Sequence, residues 1–176
     1  MKRFLFSLLV VLGISGIASA RGFQIQAGYG GYSQMDATNM SDGVKTKTSW
    51  GTVTGGFTYR VAPKFRLGAT YTFSSTTSKN SEADVYYHVV LANGFYDFYR
   101  RGDLKLYSHL GLGFDISHIT LDAPRGHGSW SENKSYFAFQ ISPIGAEYNI
   151  GSGCNLFGEL GFGAQGLLQV GVRVNI

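Results

Sequence analysis

The segment "LLQVGVRVNI", residues 167–176, decides the fold. Leu168, Val170, Val172, Val174 and Ile176 share one parity, and Gln169, Gly171, Arg173 and Asn175 share the other. Alternation of period two is the pattern of a β-strand with one apolar and one polar face. A charge in the middle of such a strand needs either bulk water or an enclosed polar interior.

The same parity recurs upstream. "CNLFGELGFG" sets Leu156, Leu160 and Phe162 against Glu159 and Gly161. "LKLYSHLGLGFDI" sets Leu104, Leu106, Leu110, Leu112, Phe114 and Ile116 against Lys105, Tyr107, His109, Gly111, Gly113 and Asp115. "FRLGATYTF", "SWGTVTGGFTYRV" and "RGFQIQAGYGGYS" alternate in the same way, and their residue types favour strands. "DVYYHVVLANGFYDF" begins with Val85, Tyr87, Val89 and Leu91 on its apolar parity and then turns aromatic on both. "SYFAFQISPIGAEYN" changes phase near Ser142-Pro143, from Phe137, Phe139 and Ile141 to Ile144, Ala146 and Tyr148. A phase shift at a proline, which lacks the ladder donor, predicts a β-bulge. The segments number eight.

The connections between them run roughly 12, 3, 7, 5, 18, 5 and 4 residues. "APK", "RRGD" and "GSG" are tight turns, rich in the residues that favour them. The long connections are "MDATNMSDGVK", "TTSKNSE" and "SHITLDAPRGHGSWSENK", while the last, "AQG", is short where a long one was due.

Residues 1–20 read as a signal peptide: Lys2 and Arg3, an apolar "FLFSLLVVLGI", and "ASA" as the cleavage pattern. Residues 21–176 then form one domain. Without Lys2 and Arg3 the 15 basic residues fall to 13 against 11 acidic ones, spread along the chain. That balance does not suggest a nucleic-acid partner, and none is expected. The single cysteine, Cys154, allows no internal disulfide.

Eight up-and-down strands suit a closed barrel, which removes exposed edges. A soluble ligand-binding barrel hides its apolar face inside, whereas a membrane barrel turns it to lipid and encloses the polar face. Alternating short and long connections favour the membrane form, as do strands of the 9 to 11 residues needed to cross the hydrocarbon. Aromatics also favour it: Tyr59, Phe65, Phe98 and Tyr148 lie near short turns, and Phe73, Tyr87, Phe114 and Phe162 near longer loops, as two interfacial girdles require. The final strand must pair with the first, because no backbone group in lipid can go unpaired.

The interior would then hold Arg66, Lys105, His109, Asp115, Glu147, Glu159 and Arg173 as a polar network, with Glu159 and Arg173 paired and room made by Gly68, Gly111, Gly113 and Gly171. His118, Arg125, His127 and Trp130 are the candidates for surface-loop contacts. Ser117 and His118, or His127 and Ser129 with Asp122 and Glu132, offer the elements of a nucleophilic site, but a mobile loop rarely holds them in register. No spacing suggests a metal site, and no cofactor motif is present.

"YSHLGLGFDI" resembles the Y-x-G-x-G-x-G-aromatic strand of the small eight-stranded outer-membrane barrels of Gram-negative bacteria, the outer-membrane protein X, OmpA-barrel and opacity-protein type. "PIGAEYNIGSGCNLFGELGFGAQGLLQVGVRVNI" is similar to their closing hairpins. The resemblance implies contact with outer-membrane lipid and lipopolysaccharide, and recognition of the last strand by the assembly machinery. The family's terminal aromatic is replaced by Ile176. It also implies a non-enzymatic surface or adhesion role with an extracellular partner. A lipid A deacylase or acyltransferase on the same scaffold, or a soluble periplasmic barrel, are the alternatives.

Overall fold

The computed structural model describes residues 22–38, 47–77, 83–121 and 130–176. Residues 1–20, expected from sequence to be a signal peptide, lie outside them with Arg21. Eight strands, each antiparallel to its neighbours, close into a barrel in sequence order. They are β1 (Phe23–Gly30), β2 (Thr52–Ala62), β3 (Phe65–Thr77), β4 (Ala83–Arg101), β5 (Leu104–Leu121), β6 (Trp130–Gly151), β7 (Cys154–Gly163) and β8 (Leu168–Asn175). A short helix, α1 (Gln34–Thr38), sits between β1 and β2.

The final strand closes the cylinder. β8 pairs with β1 from Gln24 opposite Asn175 to Gly30 opposite Gln169, and Ile176 N donates to Phe23 O at 3.0 Å. Leu168, Val170, Val172 and Val174 face outward at 54, 50, 39 and 41% exposure, whereas Arg173 is 0% exposed. The outer wall is therefore the greasy one. Tyr59, Phe65, Phe98 and Tyr148 are exposed near the short turns, and Phe114 and Phe162 near the far end.

The three short turns are two residues each: Pro63-Lys64, Gly102-Asp103 and Ser152-Gly153. Ser152 and Gly153 both have positive φ, 52° and 76°, as a type I′ hairpin requires. The bulge at Pro143 is present. Tyr107 pairs with Gly145 but His109 with Ser142, and on the other side Ile141 pairs with Phe162 but Ile144 with Leu160. The proline sits where no ladder donor is needed.

Two expectations are corrected. Val85, Tyr87, Val89 and Leu91 do not face lipid; all four point inward and are essentially inaccessible. β4 is apolar on both faces, so parity alone could not orient it. Pairing with β3 did so, setting His88 opposite Phe73 and Val90 opposite Tyr71 on the outer side. Second, within the expected loop 117–134, residues 117–121 and 130–134 are strand: pairing continues from Ser117 opposite Lys134 to Leu121 opposite Trp130, and residues 122–129 lie outside the described residues. Their polarity reflects water around a projecting hairpin, not irregular backbone. β4, β5 and β6 reach 19, 18 and 22 residues, well beyond what the membrane requires.

The interior has two levels. Near the short turns it is ionic. Toward the long connections Met35, Val85, Tyr87, Val89, Leu91, Ile119, Ala138 and Ala164 form an apolar cluster. Met35 comes from α1, which starts at Ser33: the Ser33 N and Oγ both donate to Asp36 Oδ2 at 2.9 Å. The carboxylate reaching back to the Ser33 N–H is the N3 half of a capping box, with Asp in place of Glu. The β7–β8 connection also folds inward, with Ala164 and Gln165 fully buried.

Candidate functional site

Arg173 lies at the centre of the ionic level. Its Nη1 is 3.0 Å from Glu147 Oε2, its Nη2 is 2.9 Å from Glu159 Oε1, and its Nε donates to Gln26 Oε1 at 2.8 Å. Arg66 approaches from β3. Its Nε and Nη2 donate to Asp97 Oδ1 at 3.1 and 2.7 Å, and its Nη1 reaches Gln24 Oε1 and Glu147 Oε2 at 3.0 and 3.1 Å. Lys105 Nζ is 2.7 Å from Glu147 Oε1. His109 stands between Glu159 Oε2, 2.8 Å from Nδ1, and Asn93 Oδ1, 2.9 Å from Nε2, so both ring nitrogens face acceptors. Tyr107 donates its hydroxyl to Glu159 Oε1 at 2.8 Å.

Aromatic rings pack between the charges. The Arg173 guanidinium carbon lies 4.1 Å from the Phe157 ring centre and 4.8 Å from that of Tyr107. Arg66 lies 5.0 Å from the Phe95 ring, on which His109 is stacked at 4.3 Å. Such faces favour a desolvated guanidinium without adding a counter-charge. The rings fit because glycine makes room: a Cβ on Gly171 would come within 2.7 Å of Phe157, and one on Gly145 within 2.5 Å of Tyr107.

Of the residues expected inside, Arg66, Lys105, His109, Glu147, Glu159 and Arg173 are joined in this network. Asp115 is inside but apart from it. Ser117 Oγ donates to Asp115 Oδ2 at 2.8 Å, and Oδ1 has no partner among the described residues. Asp97, Asn93, Gln24 and Gln26 belong to the network although sequence reading missed them. Asp97 keeps the inward parity of Val85, Tyr87, Val89, Leu91, Asn93 and Phe95, but most of that face is apolar, so the sequence pattern assigns it to lipid. Gln24 and Gln26 stood on the polar parity of β1 but carry no charge to draw notice.

Ser117 and His118 fall on opposite faces of β5. Ser117 is buried inside, whereas His118 Nδ1 lies 2.5 Å from Asn133 Oδ1 on the outside. The two cannot act as nucleophile and base. Arg125 and His127 lie outside the described residues, with Ser129 and Asp122; Trp130 opens β6 opposite Leu121. Among the described residues no group of three or more His, Cys, Asp and Glu side chains is disposed to hold a metal.

A closed ring of strands with a greasy exterior and a filled polar interior is the architecture of a small transmembrane barrel. The family model described as "Outer membrane protein beta-barrel domain" matches residues 4–165. No curated protein matches the sequence. Among solved structures, Neisserial surface protein A superposes with a TM-score of 0.51 at 15% identity, covering 88% of this chain and 96% of that one. Ail, the attachment invasion locus protein of Yersinia pestis, gives 0.50 at 15% identity over 88% of this chain and 94% of its own. A de novo designed transmembrane β-barrel gives 0.51 at 16% identity over 90% and 98%. The chain belongs to the outer membrane protein β-barrel family.

Proposed function

We propose that this outer-membrane barrel is a non-enzymatic surface protein: a sealed anchor in the outer membrane that presents a projecting sheet to external surfaces or molecules. The observation that carries the reading is the unequal length of the strands. β8 has 8 residues and β7 has 10, whereas β4, β5 and β6 have 19, 18 and 22. The surplus lies entirely at the end of the long connections, which in barrels of this kind faces outward from the cell. A rigid paired sheet offers a partner more defined geometry than a loop. Attachment is also what the printed description of Ail says of that protein, which supports the reading by fold alone.

The opposite faces of Ser117 and His118 weigh against acyl chemistry on the projecting hairpin. In the same reading residues 1–20 are removed on export, residues 21–176 form the barrel domain, the last strand engages the assembly machinery, and lipopolysaccharide surrounds the outer half.

The experiment replaces residues 119–132 with a two-residue turn in the cell-expressed protein. Retained heat-modifiability in the outer-membrane fraction, with loss of whole-cell binding to host-cell or matrix surfaces, is expected. Undiminished binding by the shortened protein sinks the reading. An altered lipid A mass spectrum in a deletion strain would point instead to a lipid-modifying enzyme, and recovery in the soluble periplasmic fraction to a ligand-binding barrel.

A further inference from the structure

The outer wall carries a depression near the short-turn end, between β3 and β6. Phe65, Leu67, Tyr96, Leu110 and Ile141 rise around Gly94 and Ser108 and enclose a groove of about 460 Å³. Its floor is open because Gly94 lacks a side chain. A Cβ built there would meet only Leu67 Cδ2, at 3.9 Å, so neither packing nor a special backbone angle calls for glycine at this position. The Ser108 hydroxyl is turned onto Pro143 O at 2.8 Å, which removes the one polar group that would have opposed hydrocarbon.

The rim below this groove is basic. Lys64 immediately precedes Phe65 in the β2–β3 turn, and its carbonyl accepts from Asp97 N at 2.8 Å, which ties the turn to β4. Arg101 ends β4 opposite Leu104. Both side chains are exposed. Of the nearby carboxylates, Asp97 is turned inward onto Arg66, and Asp103, exposed in the β4–β5 turn, lines the barrel mouth with Arg100 and Lys105. From Gly94 to Arg101 the strand covers about 20 Å, enough to take one lipid from its phosphate into the hydrocarbon.

We propose that this groove is a binding site for one anionic phospholipid of the inner leaflet, its acyl chain lying over Gly94 and its phosphate between Lys64 and Arg101. Short turns mark the periplasmic side of such barrels, so the basic rim meets the phospholipid leaflet rather than the lipopolysaccharide one. The groove is continuous with the lipid-facing wall, so a chain enters it without crossing water. Paired interfacial cations select the headgroup, and the missing side chain at Gly94 selects a chain lying flat against the wall.

Native mass spectrometry of the refolded full barrel, released from micelles doped with equal dioleoyl phosphatidylglycerol and dioleoyl phosphatidylcholine, tests this. The wild type should retain one phosphatidylglycerol with a preference on the order of tenfold, the scale that two interfacial cations supply. G94F should lose retention of both lipids, while K64E/R101E should lose the preference but keep retention of phosphatidylcholine. Folding of each variant is read from its gel shift on heating. Equal retention of the two lipids by the wild type, unchanged retention by G94F, or a wild-type dimer that G94F separates would each overturn the proposal.

Discussion

Arg66 of β3 and Arg173 of β8 reach the same oxygen, Glu147 Oε2, at 3.1 and 3.0 Å. Two guanidiniums so close repel each other in a site that excludes water. Glu147 holds them together, and Lys105 on its second oxygen completes the arrangement.

Replacing Glu147 with Gln should therefore destabilise the barrel by about 3–5 kcal/mol, the scale seen when one partner of a buried ion pair is removed. Urea unfolding in micelles, followed by tryptophan fluorescence, measures it. A loss below about 1 kcal/mol would fall in the range of exposed pairs and contradict the buried geometry.

Asp115 should behave in the opposite way. Its carboxylate has a hydroxyl donor but no cation among the described residues, so Asp115→Asn removes a charge without orphaning another. The same unfolding assay should show a change of no more than about 1 kcal/mol, or a gain. A cost as large as that of E147Q would mean that Asp115 has a cationic partner.

Gly145→Val should push the Tyr107 ring away and with it the hydroxyl on Glu159. Overpacking of this kind costs about 1–3 kcal/mol. A second variant, G145V/Y107A, should recover part of the loss, because the clash is gone. No recovery would show that Gly145 serves the backbone rather than the ring.

The orientation of β8 gives a sharp contrast between neighbours. Val172→Arg places a cation on the lipid face near the middle of the strand and should cost about 2–4 kcal/mol. Spin labels at the two positions should report dissolved oxygen at 172 and neither oxygen nor aqueous quencher at 173. Aqueous access at 172 would invert the barrel.

Planar bilayer recordings check the seal. With Arg66, Arg173, Glu147 and Glu159 all buried and mutually bonded, no stable open channel is expected at moderate voltage. Steady ohmic conductance would show that the network leaves a path.

The parts of this fold legible in sequence were those with local causes. β8 and β3 alternate cleanly, glycine and proline mark the three tight turns, and a phase change at Pro143 announces the bulge. The parts that were not legible depend on pairing between distant segments. β4 is apolar on both faces, so only its partners decide that Tyr87 points inward. Ser117–Leu121 looked polar enough for a loop until Lys134–Trp130 lay beside it. Parity found six charged members of the network, but not Asp97, which lies on the mostly apolar inner face of β4, nor the fact that Asp115 stands apart from the six. The "SQMD" of α1 did carry a capping signal, and reading Ser33 against Asp36 would have revealed the helix.

The seam between Phe23–Gly30 and Leu168–Asn175 also governs how the molecule can be made. Any chain stopped short of Leu168 leaves its first strand with an open side, a templating hazard for neighbouring copies. Closure of the ring must therefore wait until Leu168–Asn175 is in place beside Phe23–Gly30.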